Sequence, residues 1–169
     1  MTTRAVIKGV VHYLPDRIVP NSEFAATLDT SDAWIKSRSG IERRHFAAEG
    51  QGTSDLASRA AIAALQDAGF KANDLDTIIV ATSTPDLTFP SVATMVQGSI
   101  GMTRGFGFDI QAVCAGFVFA LCNANALIAS GQAKRIMVIG AETFSQLMDW
   151  TDRSTCVLFG DGAGALILE

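Results

Sequence analysis

The segment that most constrains the fold of this chain runs from Ile110 to Ala133 and contains no charged residue. A stretch of this kind is buried either in a membrane or in a protein interior. It carries amide and hydroxyl side chains at Gln111, Asn123 and Asn125, among others, together with two glycines. A membrane span does not carry so many polar groups. The segment therefore predicts a helix inside a protein core, and no membrane partner is expected.

Composition excludes several other classes of protein. Of the 169 residues, 49% are hydrophobic and 18% are charged, which suits one ordinary domain with a core and excludes a disordered chain. The net charge of −4 gives no basic surface for nucleic acid. Two histidines and three cysteines without a CxxC pair do not make an ordinary zinc site, so no metal is expected. The N-terminus shows no signal peptide, and a cytoplasmic location is expected.

Strands and helices alternate along the sequence, and several of the strands are continuous apolar runs. Such runs are typical of a mostly parallel sheet that is covered on both faces. Asn21 is the expected N-cap of a first helix, and Ser31 begins a second. The other strands and helices are predicted at residues 5–11, 77–81, 105–110, 135–139 and 163–168 for strands, and at residues 53–69, 91–101 and 115–130 for helices.

Cys114 is the strongest candidate for a reactive group. It lies between a predicted strand and the N-terminus of the uncharged helix, where free N–H groups and the helix dipole stabilise a thiolate. A thiolate attacks an acyl thioester, and the small residues that follow leave room for a substrate carbonyl. The alternative is an ordinary core cysteine, and spacing by itself does not decide between the two. Cys122 and Cys156 are expected to be inert core residues, and His12 and His45 to be structural or surface residues.

The basic residues are few but clustered between positions 34 and 44. A tryptophan beside an arginine can stack a planar ring and hold phosphate, which makes Trp34, Arg38 and Arg153 candidates for ligand binding. Lys36 and Arg44 are expected to belong to a solvated charged turn.

Five stretches, in the same order, resemble the β-ketoacyl-acyl carrier protein synthase III family, the initiating condensing enzymes of bacterial fatty acid synthesis. They are Asp29 to His45, Phe89 to Ser91, Ala112 to Phe117, Thr151 to Thr155 and Phe159 to Ala165. The resemblance implies an α/β, thiolase-like fold in which two similar halves stack in five αβαβα layers. This chain would be one αβ half, residues 1–169, with a mostly parallel sheet and a buried central helix, and the C-terminal half would be absent from it.

The resemblance also implies roles for individual residues. Cys114 would take the acyl group from acyl-coenzyme A, and Phe89 would lie at a homodimer interface and reach the partner's acyl pocket. The residues implied for coenzyme A binding are Trp34, Arg38, Arg153 and Thr30.

The implied reaction condenses the acyl group with malonyl-acyl carrier protein, releases CO2 and requires no cofactor. The family uses a His and an Asn from its second half for decarboxylation, so this chain by itself is expected to be inactive in condensation. Two alternatives stay open: a related condensing enzyme of polyketide, quinolone or hydroxymethylglutaryl-CoA synthesis, and a non-catalytic half that binds acyl-CoA.

Overall fold

The structure is a computed structural model and describes residues 4–169. Its helices and strands follow one another as β1 (Ile7–Tyr13), β2 (Arg17–Pro20), α1 (Asn21–Ala25), α2 (Asp32–Ser39), β3 (Arg43–Phe46), α3 (Thr53–Ala68), β4 (Thr77–Ala81), α4 (Val92–Ile100), β5 (Phe106–Ile110), α5 (Gly116–Ala129), β6 (Ile136–Thr143) and β7 (Asp161–Leu168).

The main sheet has five strands in the order β1-β7-β6-β4-β5. Strand β4 pairs in parallel with both β5 and β6, whereas β7 runs antiparallel between β6 and β1. Four strands therefore point the same way, and the predicted mostly parallel sheet is confirmed. The carboxyl ends of β4, β5 and β6 meet at one edge of the sheet.

Helices cover the sheet on both faces, which explains why its inner strands are apolar along most of their length. Ile78 and Val80 of β4 pack with α3 and α4 on one face. Ile79 and Ala81 point the other way and pack against α5. Alternate residues of one strand thus belong to two separate cores, and no position on β4 is left for a polar side chain in contact with water.

Most of the predicted helix ends are confirmed, because the capping residues do what their side chains favour. The hydroxyl of Ser31 accepts the Trp34 N–H at the start of α2, and Gly69 ends α3 in the left-handed conformation. The N-cap prediction for Asn21 is wrong, since Pro20 occupies that position. The Asn21 amide instead donates to the Asp32 carboxylate and to a backbone carbonyl, so this side chain fixes α1 to α2.

A small two-stranded sheet of β2 and β3 was not predicted from the sequence. Its strands are four residues long and carry several arginines, a pattern that suggests a charged turn. The prediction that Arg44 is solvated is wrong. Its guanidinium is buried, donates to the carbonyls of Val19 and Val157, and lies 4.5 Å from the Phe24 ring centroid. Burial lowers the pKa of Arg44.

Helix α5 is buried on one side only within the described residues. Ala120 and Ala124 are fully buried against the sheet, whereas Val118 and Phe119 on the other side are more than half exposed. Cys122 also lies on the outer side, so the prediction that it is a core residue is wrong for this chain. Cys156 is buried as predicted, and burial together with the charge of Asp152 raises the pKa of its thiol. Within residues 4–169, no helix has the length and apolar character needed to cross a bilayer.

Asp76 closes the edge of the sheet opposite the carboxyl ends of β4, β5 and β6. Its carboxylate accepts the backbone N–H groups of Lys134 and Arg135 at 2.8 and 3.0 Å and pairs with Arg104. Partial burial by itself raises the pKa of Asp76, but the two N–H groups and the Arg104 guanidinium outweigh it and lower the pKa below its ordinary value of 3.8. The carboxylate is therefore a stabilising group at neutral pH.

We expect Asp76→Asn to lower the free energy of unfolding at pH 7 by about 1–2 kcal/mol, because two backbone donors lose a charged acceptor. A depressed folded-state pKa contributes stability above the ordinary value of 3.8 and loses it as pH falls below that value. The difference in the free energy of unfolding between the wild type and Asp76→Asn should therefore become smaller in acid. Urea unfolding at a series of pH values measures this. Asp16→Asn, in the exposed turn after β1, is the control and should change the free energy by less than about 0.5 kcal/mol. If the difference in the free energy of unfolding between Asp76→Asn and the wild type stays constant down to pH 3, the stabilising role of the Asp76 carboxylate is contradicted.

Candidate active site

Cys114 lies in a tight turn between the end of β5 and the start of α5. The turn is a single 3-10 turn, Val113–Ala115, and the thiol-bearing residue is exposed. The turn stands at the sheet edge where β4, β5 and β6 end. The predicted strand–turn–helix setting of Cys114 is therefore confirmed, and the alternative that Cys114 is a core residue is not supported.

The residue before Cys114 has an unusual backbone conformation. Val113 has a φ of +48°, the single positive value found at a non-glycine residue among residues 4–169. A β-branched side chain in this region is strained, at a typical cost of about 1–3 kcal/mol. The side chain of Val113 is also exposed, so core packing does not explain the choice. The fold imposes a sharp turn here, and that turn directs Cys114 outward.

Close backbone packing holds the turn in place. A Cβ atom on Gly116 would lie 3.3 Å from the Cβ of Ala81, at the end of β4. A Cβ atom on Gly140 would lie 3.2 Å from the ring of Phe117. The first turn of α5 therefore approaches β4 and β6 more closely than larger residues would permit.

A network of hydroxyl groups and one carboxylate lies at the same edge of the sheet. Glu142, near the end of β6, accepts the Ser83 N–H at 2.9 Å and the Thr84 hydroxyl at 2.7 Å. The Thr53 hydroxyl, at the start of α3, donates to the Thr84 carbonyl and lies 2.9 Å from the Thr143 hydroxyl. Sequence reasoning missed this network. Two features of the sequence could have indicated the network: a Thr-Ser-Thr run directly after one buried strand, and a single acid near the end of another.

A cavity of about 330 Å3 lies between the loop after β4 and the end of β5. The residues after β4 line one side of it, including Thr82 and Leu87, and the end of β5 lines the other with Asp109 and Gln111. The Asp109 carboxylate accepts two backbone N–H groups at the start of α4. This wall of the cavity is thereby held in a fixed position.

Three of the residues predicted to bind coenzyme A lie together. The guanidinium of Arg38 is 4.6 Å from the ring centroid of Trp34, and that of Arg153 is 5.3 Å from the same centroid. Arg153, which is distant in sequence, also pairs with the carboxylate of Asp29 at 3.2 Å. The fold thus builds a cationic, aromatic surface that suits a planar ring with attached phosphates.

Thr30 lies in the segment between α1 and α2, one residue from Asp29, and its hydroxyl has no hydrogen-bond partner within residues 4–169. Lys36 pairs with Asp32 and Glu42 at the surface, as predicted for a solvated turn.

The remaining candidates lie on other segments than the Cys114 turn. Phe89 lies in the loop between β4 and α4 and is 82% exposed, which leaves its side chain free for an external contact. His12 is exposed on β1, and His45 Nδ1 lies 2.5 Å from the Pro15 carbonyl. The described part of the chain contains no cluster of three or more His, Cys, Asp or Glu side chains placed to hold a metal ion.

Solved structures match this fold closely. The 3-oxoacyl-[acyl-carrier-protein] synthase III of Aquifex aeolicus superposes with a TM-score of 0.95 at 46% identity, over 97% of this chain and 53% of that one. The corresponding synthase of Pseudomonas aeruginosa superposes with a TM-score of 0.93 at 44% identity, over 99% of this chain and 52% of that one. The fold is therefore that of the thiolase-like condensing enzymes.

Sequence comparison gives a more specific likeness within this class. The sequence pattern described as 3-oxoacyl-[acyl-carrier-protein (ACP)] synthase III matches residues 108–169. The β-ketoacyl-[acyl-carrier-protein] synthases III of Cereibacter sphaeroides and Ruegeria pomeroyi are each 75% identical over 169 residues, all of this chain and 52% of each relative. The chain is therefore similar over its whole length to the β-ketoacyl-acyl carrier protein synthases III and corresponds to their N-terminal half. It spans about half the length of the curated relatives it matches.

Proposed function

We propose that this chain is the acyl-accepting half of a β-ketoacyl-acyl carrier protein synthase III. Cys114 takes an acyl group from acyl-coenzyme A, and the acyl-enzyme then condenses with malonyl-acyl carrier protein to give a 3-oxoacyl-acyl carrier protein and CO2. The observation that carries this proposal is the exposed Cys114 in a strained turn directly before α5. The strained turn lowers the stability of the fold, and a catalytic role for Cys114 explains why the turn is nevertheless present.

The first step is acyl transfer. The sulfur of Cys114 attacks the thioester carbonyl, a tetrahedral oxyanion forms, and the coenzyme A thiolate leaves as the carbonyl is restored. The N-terminal end of α5 stabilises negative charge on the attacking sulfur. Trp34, Arg38, Arg153 and Thr30 hold the nucleotide end of coenzyme A, so that binding and chemistry use different parts of the chain.

The second step requires groups from a second half of the enzyme. Loss of CO2 from the malonyl group develops an enolate whose oxygen needs hydrogen-bond donors. His12 lies on β1, and His45 lies on β3 beside the Pro15 carbonyl, so neither belongs to the Cys114 turn. We infer that a His and an Asn of a C-terminal half supply these donors. The complete enzyme works in the cytoplasm without a cofactor, as a homodimer in which Phe89 contacts the partner, and its substrates are acyl-CoA and malonyl-acyl carrier protein.

The acylation site is tested in a chimera that joins residues 1–169 to the remaining half of the Cereibacter sphaeroides relative. Incubation with a radiolabelled acyl-coenzyme A should place a thioester on Cys114, located by mass spectrometry of peptides. Cys114→Ser should abolish the label while the fold is kept, since a hydroxyl without a nearby base is a much weaker nucleophile.

The matched control is Cys122→Ser, eight residues along α5, which should be labelled like the wild type. A thioester on Cys122 or Cys156 would contradict the assignment. Binding of acyl-coenzyme A without any label on Cys114 would favour the alternative, a half that binds acyl-CoA without catalysis.

Trp34→Ala and Arg153→Ala should each raise the KM for acyl-coenzyme A by about tenfold, equal to about 1.4 kcal/mol of binding. The maximal rate of acylation should change by less than about twofold, because these residues contact the ligand far from the reacting carbonyl. Trp150→Ala is the control. Trp150 packs against the Phe24 and Phe46 rings, and its removal should leave the KM unchanged. A fall in the maximal rate with an unchanged KM would contradict the binding role.

Residues 1–169 by themselves should be inactive in condensation and should associate through the outer side of α5. Val118 and Phe119 expose apolar surface there, and monomers seldom leave more than a few hundred Å2 of contiguous apolar surface in water. Light scattering should give a mass above the 17.8 kDa of one chain. Phe119→Glu should reduce association, whereas Ile62→Glu on the outer face of α3 should not. A stable monomer, or condensation by it, would contradict the proposed division into halves.

A further inference from the structure

We propose that Glu142 is a positioning residue for acyl transfer, whose carboxylate holds the loop after β4 against the turn that carries Cys114. This inference rests on the proposed function and adds a residue to it. Glu142 does not contact the thiol and is therefore argued to act through the loop formed by residues 82–84.

The contacts of Glu142 converge on that loop. One carboxylate oxygen accepts the Ser83 N–H at 2.9 Å, and the other accepts the same N–H at 3.1 Å and the Thr84 hydroxyl at 2.7 Å. The Thr82 hydroxyl donates to the second oxygen at 3.3 Å. Three consecutive residues are thus fixed by one side chain that comes from the neighbouring strand β6. Thr84 in turn accepts the Thr143 N–H at 2.9 Å, so the loop is tied to the end of β6 twice.

The loop is in direct contact with the segment that carries Cys114. The Thr82 N–H donates to the carbonyl of Ile110, the last residue of β5. Ala81, directly before the loop, limits the approach of Gly116 at the start of α5. One end of the Cys114 turn therefore rests on Thr82, which Glu142 holds, and the other end rests on Ala81, the residue directly before Thr82. A displacement of the loop moves Ile110 and Gly116 and, with them, the turn between them.

The charge of Glu142 is unusual for a residue with an ordinary structural role. The ion pairs of residues 4–169 include Asp29, Asp32, Asp76 and Glu169, but none of them involves Glu142. Neutral donors satisfy its carboxylate, which therefore acts as an acceptor for one backbone N–H and two hydroxyls. An ion pair at the surface would need no such geometry, whereas a group that positions a loop does.

The test uses the chimera and compares Glu142→Ala and Glu142→Gln with Asp76→Asn. Asp76 is a matched control because its carboxylate also accepts backbone N–H groups, two where Glu142 accepts one, but at the opposite edge of the sheet. Each variant is assayed for single-turnover acylation of Cys114 over a range of acyl-coenzyme A concentrations. Thermal unfolding of each variant is measured in parallel, and the assay temperature is set well below every midpoint.

We expect Glu142→Ala to lower the maximal acylation rate by about tenfold or more, because small misplacements of a nucleophile are costly. The acyl-coenzyme A concentration at half-maximal rate should change by less than about twofold. Glu142→Gln keeps one acceptor oxygen for the Ser83 N–H and should recover most of the rate. Asp76→Asn should lower the unfolding midpoint and leave the acylation rate unchanged.

Three outcomes would overturn the inference. The first is that Glu142→Ala acylates at the wild-type maximal rate. The second is that Asp76→Asn slows acylation as much as Glu142→Ala does, at a similar loss of stability. The third is that Glu142→Ala changes the acyl-coenzyme A concentration at half-maximal rate and leaves the maximal rate unchanged. If Glu142→Ala does not fold, a wild-type rate and half-saturation in Glu142→Asp, which shortens the reach of the carboxylate, would overturn it instead. A wild-type chimera that takes no acyl group onto Cys114 would overturn the proposed function itself, which is a separate result.

Discussion

The close approach of α5 to the sheet determines where Cys114 lies. Gly116, Ala120 and Ala124 form the inner side of the helix ahead of Ile128, and all three are buried against the strands. Because these residues are small, the helix axis lies nearer to β4 and β6 than leucine or isoleucine side chains would permit. The chain must then leave β5 and enter α5 within a few residues, and this short path requires the strained turn at Val113. The exposure of Cys114 is thus a consequence of packing two turns further along the helix.

Carboxylates at the ends of elements provide a second level of organisation. Asp109 accepts two N–H groups at the start of α4, and Asp161 accepts those of Ala47 and Ser145. Asp76 accepts two N–H groups at one edge of the sheet, and Glu142 accepts one N–H and two hydroxyls at the opposite edge. In each case an acid satisfies backbone donors that the regular elements leave free, and this role does not require a basic partner. The excess of acids over bases in the sequence therefore does not reflect a surface that repels itself. Several of these acids bind backbone N–H groups within the fold.

The sequence predicted the regular elements well and the irregular ones poorly, for a physical reason. The strand at residues 77–81 was predicted with the observed bounds because a continuous apolar run has few alternatives, and Cys114 was placed correctly because strand, turn and helix signals agree there. The strands β2 and β3 were missed because Arg44 looks like a surface residue until an aromatic ring and two carbonyls surround it. Glu142 was missed because its partners are neutral hydroxyl and amide groups of the loop after β4, which is distant in sequence. The Trp34–Arg153 pair was inferred from a family resemblance, since no local pattern joins residues so far apart in sequence.

The two parts of the candidate site rest on different cores, and this arrangement separates their properties. Cys114 follows from the main sheet, whose strands are buried on both faces and form the most extensively packed part of the fold. Trp34 packs at the edge of the small core that contains Phe24, Ile35 and Cys156, and Arg153 lies in the connection between β6 and β7. A loop-borne binding surface adapts more easily than a sheet edge does. The nucleophile is consequently fixed by packing, while the groups proposed to bind the nucleotide are held by cation–aromatic contacts and a surface ion pair, which are individually weak. Substitutions near Trp34 and Arg153 can therefore change ligand binding without disturbing the geometry of the Cys114 turn, on which acyl transfer depends.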